Sequence, residues 1–193
     1  MIGLLLNAFP FIRQDWDWSS LRVLGVLQRI GMCYFVSSII VLKNDIRNIV
    51  KITIALLIGY WGLMEIFGIY HGRDPYALQT NLILAFDKLL LGESHLYKGM
   101  GIPFDPEGIL STIPSIATTN FGFLVGTMMI TNKKIKDNIK RMIVLGLGSL
   151  LIGLFWGILM PINKQLWTSS YVMFTAGVAT LFISIMIYII DIK

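Results

Sequence analysis

Charge is scarce in this chain. Of its 193 residues only 14% are Asp, Glu, Lys or Arg, while 55% are hydrophobic; a soluble globular domain carries roughly 25% charged residues. Cysteine is nearly missing as well. The single Cys33 lies within an apolar segment, so the chain forms no internal disulfide and has no metal-type ligand spacing. There is no phosphate loop, no Rossmann glycine run, no HExxH and no CxxC, which removes the usual fingerprints of soluble nucleotide- and metal-dependent enzymes. Basic residues are also missing from the start. Met1 to Phe9 is apolar, without the charged beginning or small-residue cleavage site of a signal peptide. Too short to cross a bilayer, it reads as the second half of a helix whose first half is absent.

Long apolar runs are what the chain has instead. Its mean hydropathy is +0.73. A helix needs about 20 mostly apolar residues to cross a bilayer, and only helices or closed barrels can cross, because lipid cannot satisfy loose backbone groups. The runs here are continuous rather than alternating, which selects helices. Five spans are expected, over Leu21–Leu42, Ile49–Tyr70, Gly108–Ile130, Met142–Met160 and Trp167–Ile190. The fold class is therefore all-α, a polytopic transmembrane helical bundle with five full spans plus an N-terminal partial helix, forming one domain over residues 1–193. Asn81–Leu91 reads as a further short helix that lies on the interface or dips into the bundle, with Gly92 to end it.

The net charge of +5 does not point to nucleic acid, because the basic residues concentrate in short loops. Lys43, Arg47 and Lys51 occupy one, and Lys133, Lys134, Lys136, Lys140 and Arg141 another; both fall on the same side as Lys193 if five spans alternate. The positive-inside rule makes that side, and the C-terminus, cytoplasmic. The outer side then carries Phe11–Ser20 (with Asp15, Trp16, Asp17 and Trp18), the long loop His71–Glu107 and the turn Pro161–Leu166. Trp16, Trp18, Trp61 and Trp167 fall near this outer boundary, as interfacial aromatics do. The expected setting is an inner (cytoplasmic) membrane, multi-pass, with the lipid bilayer as the first partner.

Candidate functional groups are polar residues in expensive places. Arg29 interrupts the first span and Glu65 the second at comparable depth, and an ionisable residue inside a span is usually paired or functional. One reading pairs Arg29 with Glu65 to fix packing. The other has Arg29, with Gln28, contact an anionic substrate group; Arg22 and Gly25 would share its helical face. Asp105-Pro106-Glu107-Gly108 suits a helix start, with Asp105 as N-cap and Pro106 in the first helical position, but Asp105 or Glu107 could equally be an acid or base at a cavity mouth. His95 is a polar loop residue or a proton carrier, and His71 is a weaker candidate for the same role. Asn163, Lys164 and Trp167 either anchor the turn into the last span or contact a sugar. Gly122/Gly126 and Gly153/Gly157 form GxxxG pairs that allow close helix contacts, within the bundle or between protomers.

Several longer strings occur in a fixed order: Val26-Leu27-Gln28-Arg29-Ile30, Asp87-Lys88-Leu89-Leu90-Leu91-Gly92, His95-Leu96-Tyr97, Asp105-Pro106-Glu107-Gly108-Ile109-Leu110, and Pro161-Ile162-Asn163-Lys164 followed by Leu166-Trp167-Thr168-Ser169-Ser170-Tyr171. Through nearly all of the chain they resemble the heparan-α-glucosaminide N-acetyltransferase family and its bacterial relatives. The resemblance implies acetyl transfer across a membrane, from cytosolic acetyl-CoA as co-substrate to the amine of a glucosamine-type sugar on the outer face. It also implies a longer, dimeric protein of which this chain is the middle. The family's histidine implicated in acetyl transfer lies upstream of every matched string, so neither His71 nor His95 takes its role.

On that basis His95, Asp105 and Glu107 are expected to handle the acceptor's proton. Asn163, Lys164 and Trp167 are expected near the sugar, and Gln28 and Arg29 along the passage. The further partners are an amino-sugar glycan and either a second copy of the chain or the remainder of the enzyme; no nucleic acid is expected. A transporter or permease component, and a non-catalytic membrane subunit, are the competing readings. Against the transporter, five spans give no inverted repeat.

Overall fold

The computed structural model describes residues 2–9, 18–131 and 135–191. Asp15, Trp16, Asp17, Lys133, Lys134 and Lys193 lie outside the described residues, as does the side chain of Trp18. Regular structure among the described residues is entirely helical: α1 (Ile2–Asn7), α2 (Val26–Lys43), α3 (Ile46–His71), α4 (Leu82–Leu91), α5 (Thr112–Thr131), α6 (Ile135–Leu159) and α7 (Ser169–Asp191), with short 3-10 turns at Trp18–Ser20 and Glu93–His95. Five of them, α2, α3, α5, α6 and α7, are long and apolar enough to cross a membrane.

Helix ends follow local chemistry. Asp45 caps α3 by accepting from the Asn48 amide at 3.1 Å, which satisfies one of the first-turn donors that no intrahelical carbonyl can reach. Gly72 closes it in the left-handed region at φ 59°, where a side chain would be strained. Asn81 does for α4 what Asp45 does for α3, accepting from the Leu84 amide at 2.8 Å. The short helix expected at Asn81–Leu91 is therefore present, with Asn81 as its cap.

The first and third spans begin four or five residues later than expected. The first was expected from Leu21, yet α2 starts at Val26. Asn7 of α1 donates to the Arg22 and Leu24 carbonyls at 3.0 Å each, so residues 21–25 stay outside the helix and Arg22 does not share a helical face with Arg29. The third was expected from Gly108 with Asp105 as N-cap; α5 starts at Thr112. Asp105 instead caps its own turn, accepting from the Glu107 amide at 3.0 Å, while Gly108 N–H bonds the Asp105 carbonyl at 3.0 Å. The fourth span is longer than expected. α6 begins at Ile135 and takes Lys136, Lys140 and Arg141 into the helix, with Asp137 in its first turn, where the helix dipole favours an acid.

Packing brings the segments 21–25, 72–111 and 160–168 together. α5 lies against both α2 and α3, which barely meet one another, and α6 pairs extensively with α7. Glycine sets that last distance: a Cβ on Gly153 would stand 2.5 Å from the Phe174 amide nitrogen, and one on Gly177 would stand 2.5 Å from that of Leu150. Among the described residues a Cβ on Gly122 or Gly126 would meet nothing within 4 Å, whereas Gly153 faces α7 and Gly157 lies against Ile162 of the following turn. At the site end, α4 dips into the bundle. Its Ile83 and Leu84 join Tyr60, Met64, Phe104, Met160 and Leu166 in one apolar cluster, fixed further by the Tyr60 hydroxyl donating to the Leu166 carbonyl at 2.6 Å.

Candidate functional site

At this end four stretches that are remote in sequence converge. The first is Leu21–Gly25. Its Arg22 makes a two-pronged bond to Asp105, Nε to Oδ2 at 2.8 Å and Nη2 to Oδ1 at 2.7 Å, and Nη2 also reaches Glu107 Oε2 at 2.5 Å. The guanidinium stacks 4.7 Å from the centroid of the Tyr97 ring. Asp105, fully buried and hydrogen-bonded to it, raises the Arg22 guanidinium above its ordinary value. The planar fork explains why an arginine suits this position: it matches a carboxylate bidentately and still has a donor for Glu107.

The second stretch is the turn Asp105–Gly108. It presents the Glu107 carboxylate, partly exposed, and the Pro106 carbonyl. Behind it stands Asp87 of α4, fully buried, whose Oδ1 accepts from the Ile109 amide at 3.1 Å. Burial pushes the Asp87 carboxyl up to about 6, aided by the nearby Asp105 and opposed by the Ile109 hydrogen bond.

The third is α2, which supplies Arg29. Buried at 6% exposure, Arg29 donates from Nη2 to the Pro106 carbonyl at 2.6 Å and to Ser111 Oγ, and among the described residues its Nε has no hydrogen-bond partner. Its hydrogen-bond acceptors are thus neutral, and among the described residues no carboxylate salt-bridges it. The expected Arg29–Glu65 pair is absent. Glu65 Oε1 instead accepts from Trp61 Nε1 at 3.2 Å and from the Tyr76 hydroxyl at 2.5 Å. The reason lies in the packing, because α5 sits between the two helices that carry the charges.

The fourth is the turn between α6 and α7. Asn163 shapes it, its Oδ1 accepting from the amides of Gln165 at 2.8 Å and Leu166 at 3.3 Å. Thr168 Oγ1 tightens it by donating to the Pro161 carbonyl at 2.8 Å and accepting from Asn163 N–H at 3.0 Å. Trp167 is held at φ 51°, the left-handed region that a bulky residue rarely enters. Such strain costs on the order of 1–3 kcal/mol and persists only where the surroundings over-determine it. Here they do: the indole Nε1 donates to Thr118 Oγ1 at 3.1 Å, Tyr171 packs edge-on at 5.3 Å, and the Arg29 guanidinium lies 5.0 Å from the ring centroid.

Arg29, Pro106, Glu107, Lys164, Gln165 and Trp167 together line a cleft of about 300 Å³. Two larger grooves, of about 460 and 500 Å³, run along the apolar helix faces and present no Asp, Glu, Lys, Arg or His. Charged residues also line grooves of about 390 Å³ (Glu93, Lys98) and 460 Å³ (Lys140, Arg141), but of these five only the smaller cleft joins charged groups to an aromatic ring; it can stack a ring on an indole, meet negative charge with two cations, and accept a proton at a carboxylate.

Of the residues expected from sequence, Arg29, Glu107, Lys164 and Trp167 meet in this cleft. Asp105 stands one bond behind it, anchoring Arg22. Asn163 builds the turn rather than lining the cleft. Gln28 faces α1, beside Gly3 and Gly25, and donates to the Val23 carbonyl at 3.2 Å. His95 bonds through Nδ1 to the Leu21 carbonyl at 2.7 Å; the carbonyl can only accept, so Nδ1 carries the proton. Arg22, Ser111, Gln165 and Asp87 were not singled out by sequence as site residues. Asp87 had a signal that could have found it: it follows Ile83 by four residues, on the buried face of a short apolar helix.

No family model matches the chain. Two curated proteins do: the heparan-alpha-glucosaminide N-acetyltransferases of Homo sapiens, 28% identical over 242 aligned positions, and of Mus musculus, 27% identical over 248. Each alignment takes in the whole of this chain and 36% or 37% of the relative, so the chain spans little more than a third of the length of the curated relatives it matches. The family resemblance carried by the sequence strings is thereby matched over the full chain.

Proposed function

We propose that the cleft is the acceptor site of a membrane-embedded acetyltransferase. It would move acetyl from cytosolic acetyl-CoA to the amine of a glucosamine-type sugar on the outer face of a cytoplasmic membrane, with the C-terminus inside. The observation that carries this reading is Arg29: a buried guanidinium with neutral hydrogen-bond partners, opening on a cleft that also holds Glu107, Lys164 and Trp167. The similarity to two N-acetyltransferases over the full chain supports the reaction class.

Chemistry assigns the parts. The acceptor amine is an ammonium near neutral pH and must lose a proton before it attacks. Glu107, a carboxylate on the cleft wall, takes that proton. The nitrogen then bonds to the acetyl carbonyl carbon, and the carbonyl oxygen gains negative charge. Arg29 and Lys164 are the cations placed to meet that charge, and in a partly desolvated cleft such donors act more strongly than in water. Collapse breaks the carbon–sulfur bond, and the departing thiolate takes a proton to leave as the thiol of CoA. Trp167 offers its face to the sugar ring. Asp105 positions Arg22, and Arg22 positions Glu107. His95 acts on the site through the Leu21–Arg22 segment it is bonded to, without touching the acceptor.

The test uses membranes carrying the protein, radiolabelled acetyl-CoA and glucosamine. Labelled N-acetylglucosamine is the expected product, and Glu107→Gln lowers its rate of formation by about 10²-fold or more, the usual contribution of a positioned base. Wild-type membranes that form no labelled product overturn the reading.

A further inference from the structure

Asp87 has no part in the chemistry above, yet it is the carboxylate most deeply enclosed behind the cleft. Its exposure is 0%. One oxygen, Oδ1, accepts from the Ile109 amide at 3.1 Å; the other, Oδ2, has no hydrogen-bond partner among the described residues and faces the Gly108 backbone so closely that a Cβ there would overlap it. Gly108 and Ile109 follow directly on Pro106 and Glu107, which line the cleft. Asp87 thus hydrogen-bonds α4 to the site turn, beside the apolar contact of Ile83 with Gly108.

For holding the turn by shape alone, a carboxylate is a poor choice. An asparagine of the same outline would offer the same Oδ1 to Ile109 and would bury no charge, and an unpaired charge is far costlier to bury than an amide. The titratable groups facing Asp87 are Arg29 from α2, Tyr60 from α3 and Asp105 from the site turn itself. Arg29 favours the ionised carboxylate and Asp105 opposes it. With burial the balance falls near 6, so the side chain is charged at neutral pH and neutral in mild acid.

We propose that Asp87 is a positioning residue for the cleft, and that its negative charge, not its shape, holds the Gly108–Ile109 backbone so that Glu107 and the Pro106 carbonyl stand correctly against Arg29. This rests on the reading of the cleft as an acceptor site. A charge-assisted hydrogen bond is roughly twice as strong as a neutral one, so the Ile109 N–H bond is stronger when Asp87 is ionised and weaker when it is protonated, even though burial of the side chain as a whole favours the protonated form.

The decisive variant is Asp87→Asn in the whole protein. A purely structural Asp87 predicts equal kinetics and an unchanged pH dependence of the acceptor KM; melting does not separate the two roles, because removing a buried charge leaves the variant at least as stable in either case. The charge-based role predicts that the variant melts at the same or a higher temperature near neutral pH, while the acceptor KM rises about tenfold, the size expected when a charge-assisted bond becomes neutral. It also predicts that the wild type loses acceptor affinity as pH falls through about 6, and that the variant lacks this limb. An unchanged KM with the acid limb intact overturns the proposal.

Hydrogen exchange of the segment 107–111 gives a readout that needs no acetyl transfer. In the wild type, protection of the Ile109 amide relative to core amides, corrected for intrinsic exchange, falls as pH drops through the same value, because protonation weakens this one bond while it favours burial of the side chain as a whole; in Asp87→Asn the ratio stays flat. The same pH dependence in both proteins overturns the role of Asp87 even if transfer is observed. The contrast between them upholds it even if transfer is not.

Discussion

The Arg29 guanidinium lies 5.0 Å from the centre of the Trp167 ring, with one residue buried in a spanning helix and the other held at φ 51° in the turn that enters α7. Each explains the other. The indole covers a cation that has neutral hydrogen-bond partners, and the cation gives the strained tryptophan a reason to point inward. A cation–π contact contributes about 0.5–1 kcal/mol when exposed and about 2 when desolvated.

Arg29→Lys therefore separates charge from geometry. Lysine keeps the positive charge but loses the planar guanidinium that lies over Trp167 and whose Nη2 donates to both Pro106 and Ser111. Acetyl transfer is expected to fall by about tenfold or more, through kcat rather than KM, because the contact that matters strengthens as the carbonyl oxygen gains charge. Steady-state kinetics on membranes decide it. A change confined to KM would place Arg29 in ground-state binding only.

Trp167→Phe keeps an aromatic face and loses the bond to Thr118; Trp167→Ala loses both. The first is expected to cost about 1 kcal/mol of stability, the net worth of one neutral hydrogen bond, with a small rise in acceptor KM. The second is expected to raise acceptor KM by about tenfold or more, as loss of a base or sugar platform does. Equal KM values for the two variants would show that the ring does not meet the acceptor.

Arg22→Ala strands Asp105, which is fully buried, and frees Glu107. Breaking a buried pair from one side costs about 3–5 kcal/mol; with Arg22 a quarter exposed, about 3 is expected. Adding Asp105→Asn to the same protein removes the stranded charge and should recover part of the loss. Thermal unfolding in detergent measures both, and a double variant no more stable than the single one would contradict the pairing.

The raised Asp87 carboxyl carries a pH signature in stability. Its folded value of about 6 exceeds the ordinary aspartate value of 3.8, so the folded state holds this proton more tightly than the unfolded state. The stability this confers is complete below about pH 4 and is lost as pH rises through about 6. Two units amount to about 3 kcal/mol from this one group. Asp87→Asn should abolish that component, and melting curves across this range, compared with the wild type, will show whether it does.

The sequence reading reached the helices and much of the cleft by different routes. The helices follow from apolar length, which is local, and their ends from single residues such as Asp45, Asn81 and Gly72. Arg29, Glu107, Lys164 and Trp167 stood out because each is a polar or bulky group where lipid or an interface makes it expensive. Their partners did not stand out. Arg29 and Glu65 match in depth and charge, and sequence favours joining them; α5 lies between, and each is satisfied elsewhere. Asp105 looked like a helix cap because its neighbours suit one, but Arg22 claims it and the helix begins at Thr112.

By itself, then, the sequence determined that this is a bundle of five spanning helices with polar chemistry concentrated at one end, because hydrophobic length and the cost of charge in lipid act residue by residue. Only the tertiary structure decided that Arg22 belongs to Asp105 and Glu107, that His95 and Gln28 stand away from the cleft, and that Asp87 lies behind it. Those pairings join residues as far apart as 85 positions, and helix packing alone sets which of many chemically acceptable partners comes within reach.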